Sequence, residues 1–375
     1  MPGLLPDVDP DGLLEYSVVY TDRAINHMSN AFQGAMNDIS RTLKTVYAAD
    51  AAIVVPGSGT FGMEAVARQF ATGKRCLVIR NGWFSYRWTQ IFEMGSIPSD
   101  EVVLKARPVA AGLQQPFQPP PIDEVVQAIV QHKPDMVFAA HVETASGILL
   151  PNDYLRRLAE AAHAVDALFV LDCIASGTLW VDMRDIGVDV LVSAPQKGWT
   201  GSACCGLVML GAQALQRIES TTSTSFACDL RKWLQIMQAY EQGSFAYHAT
   251  LPTDSLIVLR DAMAEAESHG FEILRDAQLE LGRRVRALLR EKGFKSVAAP
   301  GFEAPGVVVS YTDDDGIHSA RKFAQAGIQA AAGVPLQCDE PAGFKTFRLG
   351  LFGLDKLRNI DRSVENLARA LDEIV

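Results

Sequence analysis

Short apolar runs alternate with amphipathic segments along most of the chain, and this alternation limits the possible folds more than any other feature of the sequence. The runs are rich in Val, Ile and Leu and nearly free of charge, as strands buried on both faces of a parallel sheet are. The segments between them repeat apolar residues every three or four positions, which indicates helices. The sequence therefore predicts an α/β fold with a mainly parallel sheet. The predicted strands cover residues 51–56, 75–80, 135–140, 168–173, 188–192 and 206–210, and the predicted helices cover residues 24–47, 63–71, 122–131 and 152–165.

A second, smaller α/β unit is predicted in the C-terminal third of the chain. Apolar residues recur at spacings of three and four from residue 254 to residue 292, so one helix with a bend near Gly270 is expected. Such a helix is too long for one small domain and would join two domains. We therefore predict a large domain over residues 1–255, followed by a bridging helix and a small domain over residues 256–375. The small domain is predicted to hold strands near 306–311 and 346–351 and helices near 316–326 and 355–374.

The composition excludes several classes of protein. The 375 residues include 34 Lys and Arg against 44 Asp and Glu, a net charge of −10, which argues against a nucleic-acid-binding protein. A hydrophobic content of 48% is typical of folded proteins, and no apolar run approaches the roughly 18 residues of a membrane span. The six cysteines form no CxxC pair, so we expect buried thiols rather than a zinc site or disulfides. Since the N-terminus also lacks the basic region of a secretory signal, we expect a cytoplasmic protein.

A glycine-rich turn follows the first predicted strand. The segment GSGTFG at residues 57–62 matches the G-x-G-x-x-G pattern between a strand and a helix. The free N–H groups and the dipole at such a helix start attract a phosphate. A dinucleotide site would need an acidic residue about 20 positions further on, but the next strand ends in Arg80-Asn81-Gly82. The turn therefore predicts a phosphate site, and it leaves open both a nicotinamide-dependent oxidoreductase and a packing turn without a ligand.

An aspartate and a lysine follow two later strands. Asp172 ends the apolar run LFVLD, and Lys197 lies in the uncharged segment SAPQKGW after the next predicted strand. Because ligands bind at the carboxyl ends of the strands in open α/β sheets, both side chains are candidates for chemistry. An amine in apolar surroundings loses its proton more easily and becomes a nucleophile or a base. A salt-bridged structural aspartate and a surface lysine are the alternatives.

A phosphate site, an acid and an amine at separate strand ends are together what pyridoxal 5'-phosphate (PLP) requires. The lysine forms a Schiff base with its aldehyde, and the acid holds the pyridine nitrogen protonated. A series of further segments occurs in a fixed order along most of the chain: PGSGTFGMEA, RNGWFSYR, HVETASG, VLDCIASG, SAPQKGW, YHATLP and FRLGLFG. On these segments the chain resembles the class V aminotransferases, most of all the alanine–glyoxylate and serine–glyoxylate aminotransferases. The resemblance implies PLP transferase fold type I, with a seven-stranded sheet in a large domain and a smaller α/β C-terminal domain.

The resemblance also implies roles for individual residues. Lys197 would bind the cofactor covalently and move a proton between the substrate Cα and the cofactor, and Asp172 would pair with the pyridine nitrogen. Arg348 would bind the substrate carboxylate through its forked guanidinium. Tyr247 and Thr250 would reach the phosphate of a neighbouring subunit, which implies a homodimer with shared active sites. The other cofactor contacts would come from Ser58, Gly59, Thr60 and Gln196 at the phosphate, Phe84 and Ile174 on the two ring faces, and Thr144 at the ring hydroxyl.

The function that the resemblance implies is ping-pong transamination. An alanine- or serine-like amino acid would give up its amino group, and a 2-oxo acid such as glyoxylate or pyruvate would accept it. A PLP-dependent lyase or cysteine desulfurase is the alternative among PLP enzymes, because Cys338 precedes Arg348 by ten residues. Outside that class, a nicotinamide-dependent oxidoreductase that uses the GSGTFG loop stays open. The segment EYSVVYTDR at residues 15–23 replaces the glycine- and proline-rich start that is usual in the family, which bears on the substrate rather than on the cofactor.

Overall fold

The computed structural model describes residues 8–375, and this part of the chain forms twelve strands and fourteen α-helices. The strands are β1 (Ala51–Pro56), β2 (Arg75–Arg80), β3 (Asp100–Lys105), β4 (Arg107–Pro108), β5 (Phe117–Gln118), β6 (Met136–Ala140), β7 (Leu168–Asp172), β8 (Val190–Ser193), β9 (Cys205–Leu210), β10 (Val307–Tyr311), β11 (Ala331–Ala332) and β12 (Thr346–Gly350). The helices are α1 (Asn30–Tyr47), α2 (Gly59–Val66), α3 (Trp83–Gly95), α4 (Ile122–His132), α5 (Asn152–Ala164), α6 (Met183–Ile186), α7 (Ala212–Ile218), α8 (Leu230–Glu241), α9 (Thr253–His269), α10 (Phe271–Glu291), α11 (Asp315–His318), α12 (Arg321–Gln325), α13 (Leu354–Arg358) and α14 (Ile360–Ile374). A π-helical turn, Ala67–Ala71, extends α2. None of the helices in this described part is long and apolar enough to cross a membrane.

The centre of the fold is a seven-stranded sheet with the strand order β1-β9-β8-β7-β6-β2-β3. Neighbouring strands from β8 to β3 run parallel, and β9 runs antiparallel to both β1 and β8. All residues of β6, β7, β8 and β9 are buried, so both faces of the sheet are covered. Helices α1 and α8 pack against β1, α3 packs against β2, and α5 packs against β7. The predicted α/β fold with a mainly parallel sheet is therefore confirmed.

The predicted strands of the large sheet are present, with ends within two residues of those expected, but two other elements differ. Helix α1 begins at Asn30 rather than at residue 24, because side chains bind the preceding N–H groups in a non-helical conformation. The Met28 N–H donates to the Asn26 side-chain oxygen at 2.9 Å, for example. Strand β3 was not predicted, since this edge strand, DEVVLK, carries three charged residues and has no buried residue. Edge strands are commonly charged in this way.

The predicted helix over residues 254–292 is two helices rather than one bent helix. Helices α9 and α10 meet at Gly270, whose φ of 90° lies in the region that favours glycine. This conformation ends the hydrogen-bond ladder of α9 and redirects the chain. Helix α9 then packs against α1, whereas α10 packs against α13 and α14. The two helices therefore pack in different parts of the molecule because of the backbone conformation at Gly270.

The C-terminal part contains a three-stranded antiparallel sheet with the order β10-β12-β11. The predicted strands near 306–311 and 346–351 are present, while each of the two predicted helices is split into two shorter helices. Its apolar core, which includes Leu281, Phe347 and Leu371, is separate from the core of the central sheet. A third cluster takes residues from both parts and joins them. The domain boundary after residue 255 stays a prediction.

Helix α2 lies very close to β9, because glycines stand at the contact. A Cβ added at Gly206 would be 2.8 Å from backbone atoms of Gly62 and from the Ser58 carbonyl oxygen. Real Cβ atoms do not approach backbone so closely, and the backbone here has no flexible end that could move aside. The absence of a side chain at Gly206 thus fixes the position of the GSGTFG turn relative to the sheet.

We predict that Gly206→Ala lowers the free energy of unfolding by about 1–3 kcal/mol, the usual cost of overpacking a core. Gly34→Ala in α1 is the matched control, since nothing lies within 4 Å of its added Cβ. Alanine is favoured over glycine in a helix by about 1 kcal/mol, so the control is expected to be neutral or stabilising. Denaturant unfolding of the cofactor-free protein measures both variants, and equal effects would contradict the close packing.

Candidate active site

A pocket at the carboxyl ends of the parallel strands brings most of the predicted site residues together. It is built by the segments that follow β1, β2, β6, β7 and β8. Parallel strands present their carboxyl ends at one edge of the sheet, which is why residues far apart in sequence meet there. The predicted residues that line the pocket are Ser58, Gly59, Thr60, Phe84, Thr144, Asp172, Ile174, Gln196 and Lys197. Met63, Arg87, Val142 and Ala175 complete the lining.

The first turn of α2 contributes one wall of the pocket. Ser58, the residue before the helix, has an extended backbone, and its hydroxyl makes no capping hydrogen bond to the helix. Space at the next position is tight, since a Cβ on Gly59 would lie 2.6 Å from Ile174 Cδ1 and 3.1 Å from Ala194 Cβ. The first turn holds no acidic residue. Its N–H groups and the positive end of its dipole therefore suit an anionic group such as a phosphate.

Asp172, the last residue of β7, is a buried carboxyl group in this pocket. Its Oδ1 accepts a hydrogen bond from the Ile174 N–H at 2.8 Å. Burial raises the pKa of the Asp172 carboxyl to about 7, and this hydrogen bond opposes the shift only in part. Within residues 8–375 the carboxylate forms no ion pair. A cationic ring nitrogen is the kind of partner that would hold it ionised.

Lys197 follows β8, and its amine loses its proton more readily than that of an exposed lysine. Burial lowers its pKa, the charge of Asp172 opposes this shift, and the charge of Arg348 adds to it. The neighbouring backbone is fixed by packing of Gly198 against the Gly177 carbonyl oxygen, which leaves no room for a Cβ. A neutral amine held in place is the form in which lysine acts as a nucleophile or a base.

Phe84 is held in the pocket by a carboxylate that the sequence analysis did not single out. Glu143 is fully buried, and its two oxygens accept hydrogen bonds from the N–H groups of Phe84 at 3.1 Å and Ser85 at 2.8 Å. The Ser85 hydroxyl at 2.6 Å and the Ala145 N–H at 2.9 Å complete the set. A Cβ on Gly82 would lie 2.7 Å from Glu143 Cγ, so only glycine fits there. The carboxylate therefore caps α3 and positions the Phe84 ring.

Arg348 lies on β12 of the small sheet, beside the pocket rather than in its lining. Its guanidinium carbon is 5.4 Å from the centroid of the Phe84 ring. The Arg348 Nε donates to the Ala332 carbonyl oxygen at 2.8 Å, and the terminal nitrogens make no hydrogen bond to the described residues. Burial lowers the pKa of this guanidinium, and the charge of Glu143 opposes the shift. The residue is thus placed for the carboxylate-binding role predicted for it.

Tyr247 and Thr250 lie outside the pocket of their own chain. Their hydroxyl groups are 3.0 Å apart, and 55% of Tyr247 is exposed to solvent. The Tyr247 ring also contacts His27, with the ring centroids 5.6 Å apart. Neither residue therefore contributes to the pocket of its own chain. Their contact with the phosphate in a neighbouring subunit stays a prediction.

Two polar residues of the site were missed at the level of sequence. Arg87 lines the pocket, and its Nη1 donates to the Thr60 hydroxyl at 3.0 Å. Glu143 caps α3 from a loop that lies almost 60 residues further along the chain. Both belong to segments used for the resemblance, RNGWFSYR and HVETASG. Their presence in those segments could have marked them as candidate site residues. Neither residue spacing nor hydropathy, however, predicts which groups they contact.

Cys338 is not placed for catalysis. It is buried, and its Sγ lies 3.3 Å from the Arg80 carbonyl oxygen. Burial raises the pKa of the Cys338 thiol to about 12, so the thiolate that a desulfurase needs is disfavoured. All six cysteines are buried free thiols, as expected from the sequence. The desulfurase alternative, which depended on Cys338, therefore loses its support.

Comparison with known proteins decides the family. The family model described as aminotransferase class-V matches residues 13–343. The chain belongs to this family. The aminotransferase is 27% identical to alanine–glyoxylate aminotransferase of Rattus norvegicus, over 93% of this chain and 82% of the relative. It is 28% identical to 2-aminoethylphosphonate–pyruvate transaminase of Paraburkholderia phymatum, over 93% of this chain and 89% of the relative. The crystal structure of alanine–glyoxylate aminotransferase from Nostoc sp. superposes with a TM-score of 0.78 at 20% identity, covering 93% of this chain and 89% of that chain.

The enzyme is therefore a PLP-dependent aminotransferase with the fold of the fold type I PLP enzymes. The family assignment removes the nicotinamide alternative that the GSGTFG loop had left open. When bound, PLP supplies an electron sink that stabilises negative charge at the substrate Cα.

The residues present fit this cofactor. A glycine cradle at a helix start, an unpaired buried carboxyl group and a buried amine face one pocket. Ser58, Gly59, Thr60 and Gln196 would hold the phosphate, Asp172 the ring nitrogen, Phe84 and Ile174 the ring faces, Thr144 the ring hydroxyl, and Lys197 the aldehyde carbon.

We predict that Asp172→Asn stabilises the cofactor-free protein at neutral and alkaline pH. The Asp172 pKa is about 7 in the folded protein and about 4 in an unfolded chain. The folded state thus binds the extra proton, and stability falls as pH rises from about 4 to about 7. Asparagine removes this loss, which is on the order of 4 kcal/mol at its full size.

Thermal unfolding at about pH 5 and about pH 8 measures the effect, and the advantage of the variant is expected to grow with pH. Asp153→Asn is the control, because this carboxylate is 96% exposed. A difference between Asp172→Asn and the parent that does not depend on pH would contradict the buried, protonated carboxyl group.

Proposed function

We propose that the aminotransferase moves the amino group of an alanine- or serine-like amino acid to a small 2-oxo acid, glyoxylate or pyruvate, by a ping-pong mechanism. The observation that carries this proposal is the convergence of the Lys197 amine and the Asp172 carboxyl group in one pocket, with the Arg348 guanidinium beside the Phe84 ring. Such a set of groups suits a substrate with a single carboxylate next to its amino or oxo carbon.

The acceptor is supported by what the relatives have in common. Their names include alanine–glyoxylate, 2-aminoethylphosphonate–pyruvate and ureidoglycine–glyoxylate transaminases. The donors in these names differ, whereas both oxo acids are small and carry one carboxylate next to the carbonyl carbon. We therefore propose glyoxylate or pyruvate as the acceptor of this enzyme, and Arg348 as the group that binds the carboxylate.

In this proposal Arg348 binds the substrate and Lys197 transfers its proton. Arg348 would hold the carboxylate through paired hydrogen bonds and so orient the Cα hydrogen. Lys197, whose pKa is lowered by burial, would then take up the proton from Cα and return it during the second half of the cycle.

We predict that the holoenzyme changes its absorbance spectrum with L-alanine or L-serine, and that glyoxylate or pyruvate restores it. 2-Aminoethylphosphonate is included as a third donor, because relatives that use it are as similar as those that use alanine. Lys197→Ala is expected to abolish both spectral changes. Lys295→Ala, which changes an exposed lysine, is expected to leave them as in the parent enzyme.

Borohydride reduction followed by peptide mass analysis is expected to place the cofactor on Lys197. A holoenzyme labelled on Lys197 but silent with every donor and both acceptors would contradict the proposed substrates. Labelling of another lysine would contradict the proposed site.

We also infer that the active unit is a homodimer. Tyr247, Thr250 and Phe245 are exposed, and the Tyr247 and Phe245 rings lie close together because both contact the His27 ring. An exposed apolar group of this kind on a folded protein is typical of an interface. The family resemblance supports the same arrangement, with Tyr247 and Thr250 at the partner's phosphate. A cytoplasmic location is proposed as well, in keeping with six free thiols.

A hybrid dimer tests whether the active sites are shared. We predict that Lys197→Ala and Tyr247→Ala chains are each nearly inactive alone, and that their heterodimer, purified through two different tags, regains about half of the parent activity. One of its two sites would then combine an intact Lys197 with an intact Tyr247 from the other chain. A heterodimer as inactive as the two single variants would show that Tyr247 acts within its own chain, and full activity of Tyr247→Ala alone would show that Tyr247 has no part in the site.

A further inference from the structure

Arg87 is a charged residue of the pocket that the roles assigned so far do not use. It lies on α3, one turn after Phe84, and is half-buried in the lining of the cofactor pocket. Its guanidinium carbon is 5.3 Å from the centroid of the Phe84 ring. Because the cap formed by Glu143 fixes the first turn of α3, the position of Arg87 is defined together with that of Phe84.

Arg87 forms no ion pair within the part of the chain that the structure describes, although its charge acts on the nearby Asp172 carboxyl group and lowers the pKa of that carboxyl. Its one hydrogen bond among the described residues runs from Nη1 to the Thr60 hydroxyl at 3.0 Å. A half-buried guanidinium without an anionic partner is costly unless a ligand supplies the anion.

The contact with Thr60 indicates where that anion lies. Thr60 is the second residue of α2, next to Gly59, in the turn whose N–H groups and dipole suit a phosphate. When its oxygen accepts a hydrogen bond from Arg87, the Thr60 hydroxyl keeps its own proton to donate into the pocket. The other N–H groups of the guanidinium make no hydrogen bond to the described residues, so they are available to an anion.

We propose that Arg87 is a further phosphate-binding residue of the cofactor site, acting both directly and by orienting the Thr60 hydroxyl. This inference rests on PLP binding by the family and does not depend on the donor or acceptor proposed above. Arg348 approaches the same Phe84 ring from β12, so the two arginines divide the anions of the active site. Arg87 serves the phosphate of the cofactor, and Arg348 serves the carboxylate of the substrate.

Binding of PLP and of pyridoxal, which lacks the phosphate, to the cofactor-free enzyme separates this role from others. Arg87→Gln is expected to weaken PLP binding about 10- to 100-fold, as the loss of a hydrogen bond to a charged group does, and to leave pyridoxal binding unchanged. Arg87→Lys keeps the charge without the fork and is expected to weaken PLP binding less. Absorbance titration measures the affinity of the parent and of each variant for PLP and for pyridoxal. Arg283→Gln, which alters an exposed arginine paired with Glu280, is the control.

The part played by Thr60 is tested by a double-mutant cycle. Thr60→Val together with Arg87→Gln is expected to weaken PLP binding by less than the product of the two single effects, because both changes remove the same pair. Equal weakening of PLP and pyridoxal by Arg87→Gln would mean that Arg87 only packs against Phe84, and would overturn the proposal. Unchanged PLP binding would overturn it as well, whether or not the KM of the oxo acid rises. Circular dichroism of each variant confirms that the comparison is made on folded protein.

Discussion

The buried Glu143 carboxylate is the interaction on which the arrangement of the active site depends. It is fully buried and forms no ion pair within residues 8–375, and three N–H groups and one hydroxyl donate hydrogen bonds to it. Because the segment after β6 and the start of α3 share these bonds, neither can move without the other. Phe84 and Arg87 lie in the first two turns of that helix. The cap therefore sets the position of an aromatic face and of a positive charge at the same time.

Without a ligand, the charged forms of the side chains that line the pocket are unfavourable, because these side chains are partly or fully buried. Burial pushes Asp172 and Lys197 towards their neutral forms, and Arg87 has no anionic partner among the described residues. PLP has a basic nitrogen, an aldehyde and a phosphate, which are the groups that these three residues lack. Cofactor binding would therefore offset the free-energy cost of burying these three groups. For the same reason it would raise the free energy of unfolding, so the stability of the protein and its affinity for PLP are linked.

Local patterns in the sequence were sufficient for the α/β architecture, because apolar strands and the turns at their ends follow from them. They also indicated the GSGTFG turn, Asp172 at the end of β7 and Lys197 shortly after β8, whereas Phe84, Thr144, Ile174 and Gln196 came from the family resemblance. Glu143 and Arg87 were not identified, since their contacts cross between α3, α2 and the loop after β6. The break at Gly270 was expected only as a bend, because helical periodicity continues on both sides of it. Periodicity reports which faces are apolar, and it does not report the direction of the next helix.

The close approach of Ile174 to Gly59 couples the phosphate turn to the loop after β7. Ile174 Cδ1 occupies the space where a side chain at position 59 would begin. One aliphatic side chain therefore touches the phosphate turn and, in the proposed site, the face of the cofactor ring. The size of that side chain then limits how closely the turn after β1 and the loop after β7 approach each other. A shorter residue at position 174 would leave a gap between this turn and the ring face without altering any group that takes part in the chemistry.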